Sequence, residues 1–476
     1  MGRMRLVGTI ALTTALAALT LVTVTLLPFA GDDPGSPALP LLTAALWLLF
    51  AAAVWCLFGV RGRAAVVLVL VGTAVVGAAA LAGPPNTSTD SARYAWDGIV
   101  QNAGISPYEY VPADPALRDL RPEWLFPAPV LDDRGEPVCP GTKIMRFTEP
   151  DSGEVVCSAI NRLPVPTIYP PLAELTFAGV RFLVPATAEF WPMQVLGLAG
   201  VLGVTALLLV LLRRRGLDPR WAALWGWCPL VATEAITNSH IDILGALLLV
   251  VATALVASGR PWRGGIALGA AIGAKLIPVI GAPALLRGRP LPVIVAAVVT
   301  FAVLYVPYVI ASGIEVIGYL PGYLTEEGYE SGERFVMLSP YLPGAASLVV
   351  AGILLLAVAV LVWRLSDRAD PWLGQLVMIG ATLAIVTPRY PWYALLLVPM
   401  VVMTRRWEWL AIPAALTVRL LVHGDQPVRL AMVVALTVVV IGTLRRADPA
   451  TRDLWKSLVR HPFATLFSRR TTVTQK

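Results

Sequence analysis

The sequence predicts an all-α polytopic membrane protein, and three observations carry that prediction. Hydrophobic residues make up 57% of the 476, with a mean hydropathy of +0.73. Only 14% are charged, against roughly 25% in a soluble domain, too few to cover a water-facing surface. Apolar runs of membrane-crossing length recur along the chain, with arginines clustered between them, the pattern that sets orientation in a bilayer. The net charge of +7 therefore serves topology, and no nucleic-acid partner is read from it. Only Lys143, Lys275, Lys456 and Lys476 are lysines among 37 basic residues, a bias expected of a GC-rich bacterial genome.

The first element follows Met-Gly-Arg-Met-Arg and is apolar from Leu6 to Ala30. A signal peptide has an apolar core of about 7–15 residues and a small-residue cleavage site. This run is longer and lacks a clear Ala-x-Ala, so it reads as an uncleaved helix over Leu6–Pro28. Further spans are expected at Leu39–Val60, Ala64–Gly83, Trp191–Leu212, Leu291–Ala311, Ala345–Trp363, Trp372–Thr387, Pro391–Met403, Trp409–Val422 and Val428–Leu444. Shorter paired pieces, Trp221–Ala235 with Ile241–Ser258 and Gly264–Ala274 with Leu276–Leu286, bring the expectation to about 12–14 transmembrane segments. The last pair reads as a broken re-entrant element or as one bent helix, and the second choice reverses the sidedness downstream.

Counting each piece as a pass places Arg3/Arg5, Arg61/Arg63, Arg213–Arg215, Arg260/Arg263, Arg287/Arg289, Arg364/Arg368, Arg405/Arg406 and Arg445/Arg446 on one side, the cytoplasmic one. Four regions result: three helices over 1–83, an extracytoplasmic loop over 84–190, a membrane core over 191–444 and a basic cytoplasmic tail over 445–476, lying on the membrane surface. The expected location is a bacterial cell membrane, with membrane lipids as surroundings.

The 84–190 loop carries Tyr94, Trp96, Tyr108, Tyr110, Trp124 and Tyr169 and is too aromatic for a disordered linker. Asp90–Gly104 reads as a short helix on which Asp90, Tyr94 and Asp97 share a face, with Gly104 as its stop. Cys139 and Cys157 flank a hairpin that turns at Pro150–Gly153. Outside the membrane a disulfide between them is reasonable, worth about 3 kcal/mol and stiffening the loop without doing chemistry. Cys56 and Cys228, in apolar segments, read as packing residues. In Asn161-Arg-Leu-Pro-Val-Pro-Thr-Ile-Tyr-Pro-Pro the prolines preset an extended path. That path either forms a rim with Arg162 and Tyr169 facing a substrate or simply returns the chain rigidly to the bilayer.

Ionisable residues inside membrane segments are costly and therefore candidates for function. Glu234-Ala-Ile-Thr-Asn-Ser-His240-Ile-Asp242 reads as the polar edge of a cavity, against a plainer helical turn with Asn238 and Asp242 as caps. His-x-Asp alone supplies two ligands, and a divalent metal needs more, so no metal and no cofactor are expected. Lys275 stands between two apolar runs. A phosphate would satisfy its ammonium, against snorkelling to the interface. Thr387-Pro-Arg389-Tyr-Pro-Trp392-Tyr393 suits a lipid phosphate gripped by arginine, or an aromatic interfacial belt. The acidic run Glu326–Arg334 reads as a solvated face, with a mobile lid as its functional alternative.

Taken in order, Asp90-x3-Tyr94-x3-Gly98-x5-Gly104-x2-Pro107-Tyr108, Ile168-Tyr-Pro-Pro, His240-x-Asp242, Lys275 and Pro388-Arg-Tyr-Pro-Trp-Tyr393 resemble the GT-C superfamily. The nearest likeness is to actinobacterial polyprenol-phosphomannose-dependent mannosyltransferases, including the glycosyltransferase 87 group. Three helices precede Asp90 where many relatives have one, and the cysteine hairpin looks like an insertion. The resemblance implies a GT-C-like bundle with a large catalytic first outer loop. It implies inverting transfer of a sugar, mannose above others, from a polyprenyl-phosphate donor to a glycolipid or polysaccharide acceptor. Asp90 is then the base and Asp97 the reserve. Lys275, Arg389 and His240 hold phosphate, and Tyr94, Tyr108, Arg162, Tyr169, Asp242 and Trp392 complete the substrate site. A transporter or flippase of a lipid-linked or anionic substrate is the alternative, since it too uses intramembrane charges and broken helices. It has no need of an ordered loop opening on two aspartates.

Overall fold

The computed structural model describes residues 2–27, 37–150, 152–342 and 344–460. The end of the first predicted span at Pro28, Asp151 in the hairpin turn and residues 461–476 of the basic tail lie outside them.

Among the described residues the chain is helical apart from two small ladders. Seven helices are long and apolar enough to cross a membrane, or eight if one bent pair is a single span. The first three are α1 (Gly2–Leu26), α2 (Ala38–Leu57) and α3 (Arg63–Ala80). Two shorter helices, α4 (Asp90–Asn102) and α5 (Pro171–Phe182), lie in the 84–190 loop, and α6 (Trp191–Arg214) follows. The bent pair is Pro229–Thr237 with α7 (Asp242–Ala257), turned by 118°. Then come α8 (Pro261–Ala274), α9 (Pro290–Ser312), α10 (Ala345–Leu365), α11 (Trp372–Val386) and α12 (Asp425–Arg446). The expected pieces at Trp372–Thr387 and Pro391–Met403 are shorter apolar helices. The 264–286 region is α8 followed by a tight turn at Ile277–Gly281 and a single helical turn at Ala282–Leu285, with Lys275 at the break.

The chain forms two compact units. One comprises 1–247, 270–276 and 300–326; the other comprises 248–269, 277–299 and 327–476.

In the first unit α1 packs along α2 and α3, and α3 along α6. The ends of this bundle differ in charge. Arg5 lies over the Trp55 ring at 3.8 Å, and Arg220 binds the carbonyls of Phe58 and Val60. Basic residues near the starts of α1 and α3 and the end of α6 thus gather at one end. At the other end Gln194 Nε2 donates to the carbonyls of Gly83 and Thr237, each at 2.8 Å, and Thr237 Oγ1 donates to Ala80 O at 2.8 Å. The 25 residues of α1 span about 37 Å at 1.5 Å per residue, so these two ends stand a bilayer apart.

The 84–190 loop is a folded layer with its own core. On α4, Ala92, Trp96 and Val100 repeat every fourth residue and bury against Leu117, Leu125, Ile160 and Leu163. Another face of α4 meets α5. Gly98 permits this, because a Cβ there would stand 2.5 Å from Phe177 O. Helix α4 runs from Asp90 to Asn102, and Gly104, at φ +82°, takes the left-handed position that ends it. The ladders are β1 (Val130–Leu131) with β2 (Pro137–Val138), and β3 (Met145–Thr148) with β4 (Val155–Ser158), both antiparallel. Cys139 is disulfide-bonded to Cys157 on β4, with a Cα–Cα distance of 5.4 Å.

In the second unit, buried polar side chains find partners within the unit, as a membrane interior favours. Thr253 Oγ1 donates to Gln375 Oε1 at 2.7 Å, and Gln375 Nε2 donates to Gly281 O at 3.3 Å. Buried Glu408 pairs with Arg446 at 3.2 Å.

Candidate active site

The site lies in the first unit, at the bundle end opposite the arginines. Asp90 opens α4, where a carboxylate sits favourably against the helix dipole, and its backbone N–H is capped by Ser88 Oγ at 3.2 Å. Its side chain is 17% exposed. Three neighbours converge on it. Asn161 Nδ2 donates to Oδ1 at 3.1 Å, Tyr169 OH donates to Oδ2 at 3.4 Å, and His240 Nε2 stands 3.8 Å from Oδ2.

Local chain geometry explains why these residues meet. Arg162 has φ 57°, a left-handed conformation rare outside glycine. The turn separates Asn161, on Asp90, from Arg162. Arg162 Nε instead pairs with Glu326 Oε2 at 2.7 Å and its guanidinium lies over the Tyr323 ring. Arg93 anchors the same segment by donating to Val165 O at 2.6 Å. Before His240 the chain makes a π-turn over Ala232–Thr237 and then a left-handed residue, Ser239 at φ 51°. Such turns recur where side chains must be aimed. Asn238 is no helix cap. Its Oδ1 accepts from the N–H groups of Asn86 and Thr87 at 3.0 and 3.2 Å, fastening the start of the outer loop to this turn.

His240 is fully buried between two carboxylates: Nδ1 is 3.2 Å from Glu234 Oε2 and 3.1 Å from Glu234 O, and Nε2 faces Asp90. Asp242, the first residue of α7, pairs with Lys275 Nζ at 3.2 Å. The Lys275 ammonium also lies 5.0 Å from the centre of the Tyr169 ring. Lys275 therefore has a protein partner that its sequence surroundings do not reveal, 33 residues back along the chain. Tyr169 links the two pairs, its hydroxyl on Asp90 and its ring under Lys275. Burial first, then the Asp90 carboxylate, pushes the Tyr169 phenol well above its usual range, so it remains a donor.

The remaining expected residues fall into three groups. Tyr94 stacks on Phe177 at 4.4 Å and meets Tyr169 edge-on at 5.0 Å. Tyr108 donates to Tyr169 O at 2.5 Å. Both tyrosines set the position of Tyr169. Asp97 is not brought to Asp90. It is buried, lies 3.4 Å from Arg93 and couples to Glu174, which accepts from Thr167 Oγ1 at 2.6 Å and Gln101 Nε2 at 2.9 Å. Burial, opposed by Arg93, raises the Asp97 carboxyl to about 6, and burial together with Asp97 raises Glu174. Arg389 and Trp392 belong to the second unit, where Arg389 is exposed and Trp392 is buried and stacked on Tyr390 at 4.4 Å. The acidic run is less solvated than it reads, since Glu326 is taken by Arg162 and Glu327 is buried against Arg334. Sequence reasoning did not single out Asn161 or Glu174; the one signal for Asn161 was its place beside Arg162 in the proline-rich segment.

The arrangement offers an accessible carboxylate steadied by two donors, backed by an imidazole and flanked by an ammonium. The model of glycosyltransferase family 87 matches residues 167–388, a stretch that holds Tyr169, His240, Asp242 and Lys275 and stops one residue short of Arg389. The chain is 27% identical over 263 residues to a polyprenol-phosphate-mannose-dependent alpha-(1-2)-phosphatidylinositol pentamannoside mannosyltransferase of Mycolicibacterium smegmatis, covering 52% of this chain and 60% of the relative. It is 28% identical over 274 residues to the protein of the same name from Mycobacterium tuberculosis, covering 54% and 59%. The chain thus spans about three fifths of these relatives' length. No solved structure matches it. Over residues 167–388 the chain is similar to glycosyltransferase family 87, in keeping with the resemblance its motifs carry.

Proposed function

We propose that the chain transfers a mannosyl group from a polyprenyl-phosphate carrier to a glycolipid or glycan acceptor at the outer face of a bacterial cell membrane, with inversion. The observation that carries this is Asp90, a partly exposed carboxylate held by Asn161 and Tyr169 beside a family-87 match that supplies His240 and Lys275. Transfer needs a base for the acceptor hydroxyl as its oxygen attacks the anomeric carbon, and positive charge for the departing phosphate. Asp90 takes the first role. Lys275 serves the second, with the Asp242 pair opening toward phosphate as the donor arrives. The carrier's lipid tail lies between helices. The arginines at the opposite end of the first unit support the outer placement. A glycolipid acceptor is suggested by the names of the two relatives.

The test is transfer by the purified chain in lipid, supplied with polyprenyl-phosphomannose and a membrane glycolipid extract. Asp90→Asn is expected to abolish transfer, and Asp97→Asn to weaken it only through folding. The opposite pattern would move the base to Asp97. Folded protein that transfers from neither mannose nor arabinose carriers would overturn the donor class and bring the transporter forward.

A further inference from the structure

Behind Asp90 stands a pair that simple base catalysis does not require. Glu234 presents two acceptors to His240 Nδ1, its carboxylate at 3.2 Å and its own carbonyl at 3.1 Å. Two acceptors call for a donor, so Nδ1 carries a ring proton, and Nε2, 3.8 Å from Asp90 Oδ2, is the nitrogen placed to exchange a proton with Asp90. Holding the ring there takes a π-turn and a left-handed Ser239, local strain that persists only where the surroundings enforce it. Asn238 Nδ2 donates to Glu234 Oε2 at 3.3 Å and to Thr87 Oγ1 at 2.7 Å, so the glutamate is itself fixed. A packing histidine has no need of a carboxylate on each side.

We propose that Glu234 and His240 are positioning residues that act through Asp90, aligning its carboxylate and receiving the proton it takes from the acceptor. This rests on the transferase reading and on Asp90 as its base. As the acceptor oxygen bonds to the anomeric carbon, the carbon–phosphate oxygen bond breaks and its electron pair leaves with the polyprenyl phosphate. The hydroxyl proton passes to Asp90 Oδ2 and on to His240 Nε2. The imidazolium is then flanked by the carboxylates of Asp90 and Glu234 and releases its proton to water or to the departing phosphate. The gap of 3.8 Å between Nε2 and Oδ2 must shorten by about an ångström, as catalytic hydrogen bonds commonly do when substrate binds.

The experiment uses the full chain in lipid with polyprenyl-phosphomannose and glycolipid extract. His240→Ala is expected to lower kcat about 100-fold, the scale of a proton-transfer contribution, with the donor KM unchanged; Glu234→Gln lowers kcat about tenfold in the same way. Added imidazole restores His240→Ala, whereas pyrazole, of similar size but a far weaker base, does not. Equal rescue by both azoles, or a loss confined to KM, overturns the proposal in favour of packing or substrate contact. A wild type that transfers nothing, or an Asp90→Asn variant at full rate, is instead a failure of the transferase reading. The pairing is then decided by nitrogen NMR of the labelled imidazoles, of which the chain has three, with His240→Gln giving the assignment. Asp90→Asn should move the Nε2 signal of His240 and Glu234→Gln its Nδ1 signal, and two unmoved signals would overturn the pairing itself.

Discussion

Among the described residues of the outer loop, Asn161 is the side chain that donates to the Asp90 carboxylate oxygen that Tyr169 leaves open. A hydrogen bond to a charged acceptor is worth about 1.5–3 kcal/mol, and each 1.36 kcal/mol is tenfold in rate. Asn161→Ala should therefore lower kcat by about 10–100-fold while the donor KM holds, and full kcat in the same assay would sink this role. The residue shows where sequence reading stops. Asp90, Tyr169, His240 and Lys275 announce themselves as charges or aromatics in unusual places, but an asparagine in a polar loop carries no such signal. Its importance comes from the left-handed Arg162 beside it, a backbone choice that residue type does not reveal. The Asp242–Lys275 pair was hidden for another reason. One stands at the start of α7 and the other just past the end of α8, and only the fold brings them to 3.2 Å.

Among the elements, α4 was the most legible. Its start at Asp90 and its stop before Gly104 follow from helical spacing and a glycine. What spacing alone left open was the use of each face. Asp97 shares the helix with Asp90, yet α5 closes over it, with Glu174 completing a buried acid pair. Burial away from water disfavours both charged forms, which is why Asp97 rises to about 6, and Glu174 rises through burial and then through the neighbouring Asp97 charge. The folded chain then binds a proton here more tightly than the unfolded chain does. The resulting stability is complete below the ordinary carboxyl range near pH 4 and is lost as pH climbs through about 6. Glu174→Gln keeps a donor toward Asp97 and removes one acid, so the variant should gain on the wild type in melting temperature between pH 5 and pH 7. Thermal scans of both proteins in lipid at those two pH values measure the gap; a constant gap would show that the pair does not titrate in this range.

At the scale of the molecule the claim most exposed to test is sidedness. The first unit carries its arginines at one end and Asp90 at the other, with α1 long enough to separate them by a bilayer. Positive residues stay in the cytoplasm, so the 84–190 layer should face outward, where a disulfide also persists. The chain provides its own probe. Of its four cysteines, Cys228 is buried, Cys56 is partly buried in α2, and the other two form the Cys139–Cys157 bond. In intact cells a membrane-impermeant maleimide should leave the chain unmodified until the disulfide is opened with an impermeant phosphine, and should then add two labels, both lost in a Cys139→Ser/Cys157→Ser variant. That variant should keep its transfer rate within about twofold, because neither cysteine is among the residues that hold Asp90 and the bond is worth about 3 kcal/mol of local stability. Labelling that requires lysis would turn the layer inward. The acceptor and the carrier's sugar would then have to be sought on the cytoplasmic side, and the charge asymmetry of the first unit would need a cause other than orientation.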